Sequence, residues 1–239
     1  MLLEGQTAVV TGGSRGIGFQ ISKIFVEHGA RVLAISRSAD KLSGAASALP
    51  GLETLVADTS DPDDIDRVVA WSAANWGALD ILVNNAGIWT SSKADLTTPG
   101  DRDFIATNQT NLIGPYLSTK RFLPLLLKSA SPRVVNIGSA SGILSPRLQS
   151  AYGVSKAGLH ALTIATAYEL KGRVAVNVLS PGWVRTDMAP DGPNEPLMSA
   201  EAALELVKMP SEVTGRLFHA TSSNGNSPAT AVERAWVEF

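Results

Sequence analysis

The stretch Thr11-Gly-Gly-Ser-Arg-Gly-Ile-Gly18 decides the fold, because it places closely spaced glycines where a strand passes into a helix. The apolar, β-branched run 7–11 leads into it, and a helical pattern follows. In such a connection, free backbone N–H groups and the helix dipole form a site for a pyrophosphate. The spacing Gly-x-x-x-Gly-x-Gly differs from the commoner Gly-x-Gly-x-x-Gly, and a tight connection without a ligand is the alternative interpretation. The critical glycines are Gly12, Gly16 and Gly18.

The alternation of strand and helix continues along the chain. The strand-like runs are short, and their apolar residues follow one another with almost no alternation, as strands buried on both faces require. They predict seven parallel strands, at 7–11, 31–36, 53–57, 79–84, 133–138, 173–179 and, more weakly, 215–220. The predicted helices that cover this sheet lie at about 16–28, 40–48, 62–76, 101–128, 152–171 and 199–208.

Prolines mark several helix boundaries. Asp61 and Pro62 are typical of an N-cap and the first helical residue, so a helix should begin there. Pro115 and Pro124 interrupt the pattern at 101–128 and predict a kink or an early end. The stretch 189–196, rich in proline and glycine, predicts a mobile loop and not a domain linker, because a further helix and strand follow it. We therefore predict one domain over residues 1–239, with a substrate loop or lid around 187–208.

The composition narrows the class of protein. With 44% hydrophobic and 18% charged residues, the chain has ordinary globular usage, and its net charge of −2 gives no overall field for nucleic acid or an anionic membrane. The absence of cysteine excludes disulfides and thiolate chemistry. His28, His160 and His219 lie far apart without ligand spacing, so we predict no metal site and assign them no role. The N-terminus shows no leader and no run is long enough to span a membrane, which predicts a cytoplasmic protein.

The end of the second strand indicates which dinucleotide would bind. An acidic residue at this position, about twenty residues after the glycine-rich turn, is typical of NAD binding, but here the strand ends in Ser36 and Arg37. A serine beside a guanidinium suits a 2′-phosphate, and Arg15 can approach it from the glycine-rich turn. The pattern favours NADP(H) over NAD(H), although both arginines as solvated surface charges are the alternative interpretation.

A second turn, Asn84-Asn-Ala-Gly87, closes the fourth strand. Its small residues would let a flat ligand pass close to the backbone. Asparagine and glycine also tolerate left-handed backbone conformations, so a purely structural turn is equally consistent with this sequence taken alone.

The most specific pattern combines Ser139, Tyr152 and Lys156. Tyrosine and lysine four residues apart share one face of a helix, and the serine follows the fifth strand. A nearby cation stabilises phenolate, so Lys156 should lower the pKa of Tyr152 from about 10 toward neutrality. Tyr152 would then donate a proton to a carbonyl oxygen while hydride reaches the carbon. When the tyrosine and lysine are considered alone, the alternative is a pair of surface side chains without a chemical role.

Together these motifs resemble the short-chain dehydrogenase/reductase family, which shares the glycine-rich turn, Asn-Asn-Ala-Gly, the serine, Tyr-x-x-x-Lys and a Pro-Gly after the sixth strand. The resemblance runs from about residue 4 to 190. It implies a Rossmann-type, doubly wound parallel α/β sheet of seven strands in the order 3-2-1-4-5-6-7, with helices on both faces. It also implies that Tyr152 is the acid/base, Lys156 the ribose anchor, Ser139 the carbonyl-orienting donor and Asn111 part of a proton relay.

The resemblance further implies the cofactor contacts. Asp58 would meet the adenine, and the residues after the sixth strand would border the nicotinamide. The complete expected set is Gly12, Ser14, Arg15, Gly16, Ile17, Gly18, Ser36, Arg37, Asp58, Asn85, Ala86, Gly87, Tyr152, Lys156, Pro181, Gly182, Val184 and Thr186.

The C-terminal part lacks the Asp-Gly-Gly that commonly follows the last strand in this family, which favours carbonyl reductase branches over acyl-carrier-protein reductases. No long insertion precedes Tyr152, so the helices near 101–128 and 152–171 should be free to pair between subunits in a homodimer or homotetramer.

The resulting hypothesis is an NADP(H)-dependent oxidoreductase acting on a carbonyl/alcohol pair, with a small or medium apolar ketone or aldehyde as substrate. The alternative is a non-catalytic NADP-binding regulator of the same fold. Substrate contacts are expected from variable loops, although packing against the body or a second subunit explains these residues equally well: Ile88, Trp89, Ile143, Leu144, Trp183, Met188 and Met198.

Overall fold

The structure, a computed structural model, describes residues 1–90, 100–144, 150–220 and 232–235. Within these ranges one sheet runs through the molecule. Its strands are β1 Thr7–Thr11, β2 Arg31–Ser36, β3 Leu52–Val56, β4 Ile81–Asn84, β5 Arg133–Ile137, β6 Ala175–Ser180, β7 Leu217–Ala220 and β8 Val232–Ala235. The helices are α1 Gly16–Glu27, α2 Ala39–Ala48, α3 Pro62–Asn75, α4 Asp101–Asn108, α5 Gly114–Leu126, α6 Ser141–Leu144, α7 Ser150–Glu169 and α8 Pro196–Lys208, with a π turn at Gln109–Ile113.

The strand order is β3-β2-β1-β4-β5-β6-β7-β8. The first seven strands are parallel, with Val9 of β1 opposite Leu33 of β2 on one side and Leu82 of β4 on the other. This confirms the predicted seven-stranded Rossmann-type order. Because the order reverses between β1 and β4, a crevice opens there at the carboxyl ends of the strands, where ligands bind in this fold.

An eighth strand was not predicted. β8 pairs antiparallel with β7, with Leu217 opposite Ala235 and Ala220 opposite Val232. Its four residues, Val-Glu-Arg-Ala, carry two charges and show no apolar run, so periodicity alone gives no strand signal. The rest of the tail, 221–231 and 236–239, lies outside the described residues.

Two apolar clusters cover the two faces of the sheet. On one face, Phe25 of α1 and Leu204 of α8 are buried against strand residues such as Val10. On the other, Phe122 of α5 and Ile65 of α3 are buried against Val9 and its neighbours. The uninterrupted apolar strands therefore serve both layers, as their sequence pattern predicts.

Helix boundaries follow the capping residues. Asp61 accepts a hydrogen bond from the Asp63 backbone N–H (2.9 Å) and Pro62 begins α3, as predicted. The long pattern at 101–128 is divided by the π turn, which ends at Ile113, two residues before Pro115, whereas Pro124 lies inside α5. No helix within the described part of the chain is long and apolar enough to cross a membrane.

The predicted lid around 187–208 contains two different segments. Its second half is α8, which packs against α1. Its first half belongs to a connection that bonds to itself, because the Arg185 backbone N–H donates to the Asn194 carbonyl (2.8 Å) and the Arg185 guanidinium pairs with Glu195 (2.9 Å). Movement of this segment stays a prediction.

Candidate active site

The glycine-rich turn is shaped by positions that exclude a side chain. Gly12 and Gly16 adopt φ of 64° and 55°, which L-residues rarely adopt. A Cβ on Gly18 would lie 2.3 Å from the Gly12 carbonyl oxygen, so α1 can approach the turn only at a glycine. The turn therefore brings backbone close to whatever occupies the crevice beside it.

The Asn84-Asn-Ala-Gly87 turn is bonded directly to the glycine-rich turn. Thr11 Oγ1 accepts from the backbone N–H groups of Asn85 and Ala86, both at 2.9 Å, and the Asn85 amide donates to the Thr11 carbonyl at 2.9 Å. A Cβ on Gly12 would meet the Ala86 Cα at 3.0 Å. The two motifs thus form one continuous wall, which neither motif alone predicts.

A cleft of about 410 Å³ runs along this wall. Sixteen of the eighteen predicted cofactor residues line it: Gly12, Ser14, Arg15, Gly16, Ile17, Gly18, Ser36, Arg37, Asp58, Asn85, Ala86, Gly87, Tyr152, Lys156, Pro181 and Thr186. Gly182 and Val184 do not, and Val184 is instead buried and bridged to Asn194. The lining also includes Ile88 and Met188, which the sequence predicted as substrate contacts, and eight residues that the sequence did not indicate, namely Ser38, Lys41, Ala57, Thr59, Thr110, Ile137, Gly138 and Asp187.

Both arginines of the predicted 2′-phosphate site have carboxylate neighbours. Arg37 lies 3.8 Å from Asp58, and Arg15 pairs with Asp187 across the cleft. Lys41 lies at the same end, one turn into α2, where its backbone N–H donates to the N-cap Ser38 (3.3 Å). The sequence could have indicated this extra cation, because a helix capped by Ser38 starts directly after Ser36-Arg37 and places Lys41 in its first turn.

Lys156 is fixed by its surroundings in the interior. Its side chain lies on α7, is 4% exposed and donates to the Ile137 carbonyl at 2.8 Å. Its Nζ lies 5.6 Å from the centroid of the Tyr152 ring. Burial lowers the pKa of Lys156 to about 8, because desolvation disfavours the charged form.

The pKa of Tyr152 moves in the opposite direction from the sequence-based prediction. Burial raises it, and a hydrogen bond with the Ser139 side chain offsets only part of that effect. The prediction that Lys156 lowers this pKa toward neutrality is therefore wrong for this arrangement, because desolvation of the phenolate is the larger effect. The predicted proximity is nevertheless present: Ser139, Tyr152 and Lys156 lie together at the carboxyl end of β5.

Asn111 lies in the π turn and is fully buried. Its Oδ1 accepts from the Ile88 backbone N–H (2.8 Å), and its Nδ2 donates to the Ile88 carbonyl (2.9 Å) and to Ser155 Oγ (3.0 Å). Both amide protons are thereby used. The side chain holds the segment after β4 against α7, and the proton-relay role stays a prediction. π turns of this kind are frequent at functional sites.

His160, to which we assigned no role, lies one helical turn after Lys156. Its ring lies against the two glycines that flank the Ser139 segment. A Cβ on Gly138 would lie 2.7 Å from the His160 Nε2, and a Cβ on Gly142 would lie 2.9 Å from the His160 Cε1. Its pKa is lowered to about 4, mainly by burial and further by Lys156 and His219. A lone histidine in a sequence gives no signal for such packing.

The predicted substrate contacts separate into groups. Ile88 and Met188 line the cleft, and Trp89 lies against Tyr152. Ile143 and Trp183 are exposed, and Met198 packs on the core beside α1. The side chain of residue 144 lies outside the described part of the structure.

Comparison with known proteins identifies the family. The short chain dehydrogenase family model matches residues 6–195, so the chain belongs to this family of oxidoreductases. The chain is 35% identical over 214 residues to the 3-oxoacyl-(acyl-carrier-protein) reductase FabG of Thermotoga maritima, covering 87% of this chain and 85% of that protein. It is 32% identical over 249 residues to the oxidoreductase UcpA of Salmonella typhimurium, covering 97% and 92%.

A solved structure adds support for the fold. A short chain dehydrogenase from Shigella flexneri, complexed with NADP, superposes with a TM-score of 0.86 at 25% identity, covering 91% of this chain and 98% of that chain. The C-terminal pattern favours carbonyl reductases, whereas the curated relatives include 3-oxoacyl reductases. Similarity therefore establishes the family and leaves the substrate to be proposed.

Proposed function

We propose that this protein is an NADP(H)-dependent carbonyl reductase that interconverts ketones or aldehydes and alcohols, with small or medium apolar substrates. The observation that carries the proposal is the shared cleft. Tyr152 and Lys156 line the same cavity as the glycine-rich turn and Arg37. An acid/base group and a dinucleotide site in one cavity favour catalysis over the alternative, a regulator that only binds NADP.

The residues of the cleft fit NADP(H). A Cβ on Gly18 would collide with the Gly12 carbonyl oxygen, and one on Gly12 would lie 3.0 Å from the Ala86 Cα, so both positions favour glycine and leave bare backbone along the cleft. Arg15, Arg37 and Lys41 supply three cations at the adenosine end, which suits a 2′-phosphate. The NADP complex of the Shigella flexneri relative supports the same assignment.

When bound, the nicotinamide supplies the hydride for reduction or accepts it for oxidation. Tyr152 donates its proton to the carbonyl oxygen as the carbonyl carbon receives the hydride. The product is the neutral alcohol, and Tyr152 is left as the phenolate. A phenol with a raised pKa keeps this proton at neutral pH, as reduction requires. Ser139, bonded to Tyr152, is placed to orient the carbonyl oxygen. Lys156, which lines the same cleft with its Nζ 5.6 Å from the Tyr152 ring centroid, would anchor the nicotinamide ribose.

A spectrophotometric assay tests the proposal. Loss of NADPH absorbance should be followed with a panel that includes aliphatic ketones, aromatic aldehydes and a 3-oxoacyl thioester, the last because of the FabG relatives. Turnover of at least one compound supports the enzyme. NADPH binding by calorimetry, without oxidation by any member of the panel, would support the regulator instead.

We also propose a homodimer or homotetramer, joined through α4, α5 and α7. These helices carry exposed apolar side chains, including Ile105 at 62% and Tyr168 at 83% exposure, with Tyr116 and Ile164 also exposed. Light scattering after gel filtration should give two or four times the chain mass of 25.0 kDa. A monomer mass at micromolar concentration would contradict this. The cytoplasmic location stays a prediction.

A further inference from the structure

His160 lies on the same face of α7 as Tyr152 and Lys156. The three residues follow one another at intervals of four positions, so their side chains form one stripe along the helix. Tyr152 and Lys156 are among the residues that line the cleft, whereas His160 is not. The function proposed above therefore leaves the third member of this stripe without a role.

The ring of His160 packs against the turn that carries Ser139. The two glycines that flank this serine, Gly138 and Gly142, have no room for a Cβ beside the imidazole. The backbone before and after Ser139 therefore rests on the ring itself and not on a side chain of its own. The ring limits how closely this turn can approach α7.

The two ends of the turn are anchored on different elements. At one end, the Gly138 N–H donates to the Leu179 carbonyl on β6 at 2.8 Å, and the Val178 side chain lies close by. At the other end, Gly142 packs on the backbone of α7, where a Cβ would lie 2.7 Å from the Ala157 nitrogen. Between these anchors, the imidazole is the spacer that sets the distance from the serine to the helix.

The imidazole of His160 is uncharged at neutral pH. Burial lowers its pKa to about 4, and Lys156 and His219 lower it further. Its two nitrogens are closed to solvent and have no hydrogen-bond partner among the described residues, so its contact with the turn is one of shape. The ring therefore fills the space beside the buried Lys156 without placing a second positive charge there.

We propose that His160 is a positioning residue, which holds Ser139 at hydrogen-bonding distance from Tyr152. This inference rests on the proposed function, in which Ser139 orients the carbonyl and Tyr152 donates the proton. A shorter side chain at position 160 would let the turn move toward α7 and break the bond between serine and tyrosine. A displacement of about 1 Å at a reacting centre can cost about 100-fold in rate.

Two amide substitutions of different length test the role of the spacer. In His160→Gln the amide reaches as far as the ring Nε2 does, whereas in His160→Asn it ends near the position of Nδ1. The bond from Ser139 lowers the pKa of Tyr152, against the larger effect of burial. Loss of this bond in His160→Asn should therefore raise the pKa of Tyr152, as Ser139→Ala should, and His160→Gln should leave it close to the parent's value.

NMR titration of the ligand-free protein, isotope-labelled at the tyrosine Cζ, measures this pKa without turnover. The Tyr152 signal is assigned by its absence in Tyr152→Phe. Leu170→Ala is the matched control, because Leu170 is buried directly after α7 in the cluster on the α3 and α5 side of the sheet. It should lower the stability of the fold and leave the pKa of Tyr152 at the parent's value.

Turnover gives the second readout, with NADPH and the carbonyl of the panel that has the highest kcat/KM. In His160→Asn, kcat/KM for the carbonyl should fall by about 10- to 100-fold, while NADPH affinity hardly changes. His160→Gln should retain most of the parent's activity. In a Ser139→Ala background, His160→Asn should cause no further loss, because the hydroxyl that it positions is already absent.

The outcomes separate the positioning role from the proposed function. A parental pKa of Tyr152 in folded His160→Asn, or an equal loss of activity with and without the Ser139 hydroxyl, would overturn the positioning role. If His160→Asn does not fold, Gly138→Ala displaces the turn from the opposite side, and a parental pKa of Tyr152 in that variant would count equally against it. Absence of NADPH oxidation with every carbonyl would instead overturn the proposed function, and the titration would still decide the role of His160.

Discussion

The two sides of the cleft are built in different ways. The dinucleotide side is made of backbone: turns at Gly12 and Gly18 that exclude a Cβ, bonded to the next turn through Thr11. The catalytic side is made of buried side chains, in which Lys156 and Asn111 each have defined partners and desolvation sets the pKa values. Dinucleotide binding should therefore depend on the shape of the backbone, whereas catalysis should depend on single side-chain atoms.

The largest expected effect comes from one atom on the catalytic side. In Tyr152→Phe the ring and its packing remain but the proton is lost, so turnover should fall by roughly 10² to 10⁴. NADPH binding, measured by calorimetry, should persist because the backbone wall is intact. If the variant kept most of its activity on a substrate confirmed for the parent protein, Tyr152 would not be the acid and the contrast between the sides would fail.

A single methyl group should test the backbone side. In Gly18→Ala the new Cβ would lie 2.3 Å from the Gly12 carbonyl, so the turn must shift. We expect the free energy of unfolding to fall by about 1 to 3 kcal/mol, and NADPH to bind more weakly. Gly44→Ala in α2 is the matched control. Its Cβ meets nothing within 4 Å, and it should stabilise the protein by about 0.5 to 1 kcal/mol. Similar behaviour of the two variants would show that the turn is not closely packed.

The same contrast explains what the sequence could predict. The glycine-rich turn and the Tyr152–Lys156 pair are local patterns, since backbone conformation and helix periodicity link residues a few positions apart. The contacts of Asn111 with Ile88 and Ser155 join residues 23 and 44 positions apart, and no local pattern encodes them. The predicted direction of the pKa shift of Tyr152 was wrong for a related reason, because the burial that raises this pKa depends on the whole fold.

His160, which is partly buried and whose two ring nitrogens are closed to solvent, should make the catalytic side sensitive to acid. The pKa of His160 is about 4 in the folded chain against an ordinary value of 6.5, so the unfolded chain binds more protons between these values. The contribution of His160 to the free energy of unfolding should therefore be fully present above about pH 6.5 and should be lost as the pH falls toward 4. We expect the free energy of unfolding to fall by about 1 to 2 kcal/mol over this interval. This is less than the full pKa shift would give, because solvent reaches part of the His160 side chain.

Urea unfolding at several pH values measures this effect. His160→Gln removes the titrating group while keeping a polar side chain of similar size, and its stability should change less than the parent's over this interval. His28→Gln, at the C-terminal cap of α1, is the control and should keep the parent's dependence. Parallel curves for the parent and His160→Gln would mean that another group causes the loss.

The smallest effect is expected at the adenosine end of the backbone side, where solvated charges and not shape set the preference. NADPH should bind at least tenfold more tightly than NADH to the parent protein, a difference of about 1.4 kcal/mol. Arg37→Ala should narrow this gap only in part, because Arg37 also lies 3.8 Å from Asp58 and Lys41 lines the same end. NADH affinity should hardly change, since NADH has no 2′-phosphate. The preference should also weaken with added salt, as exposed charge pairs are screened. Equal affinities for both cofactors in the parent would remove the assignment, and an equal loss for both in Arg37→Ala would place this arginine on a part of the dinucleotide other than the 2′-phosphate.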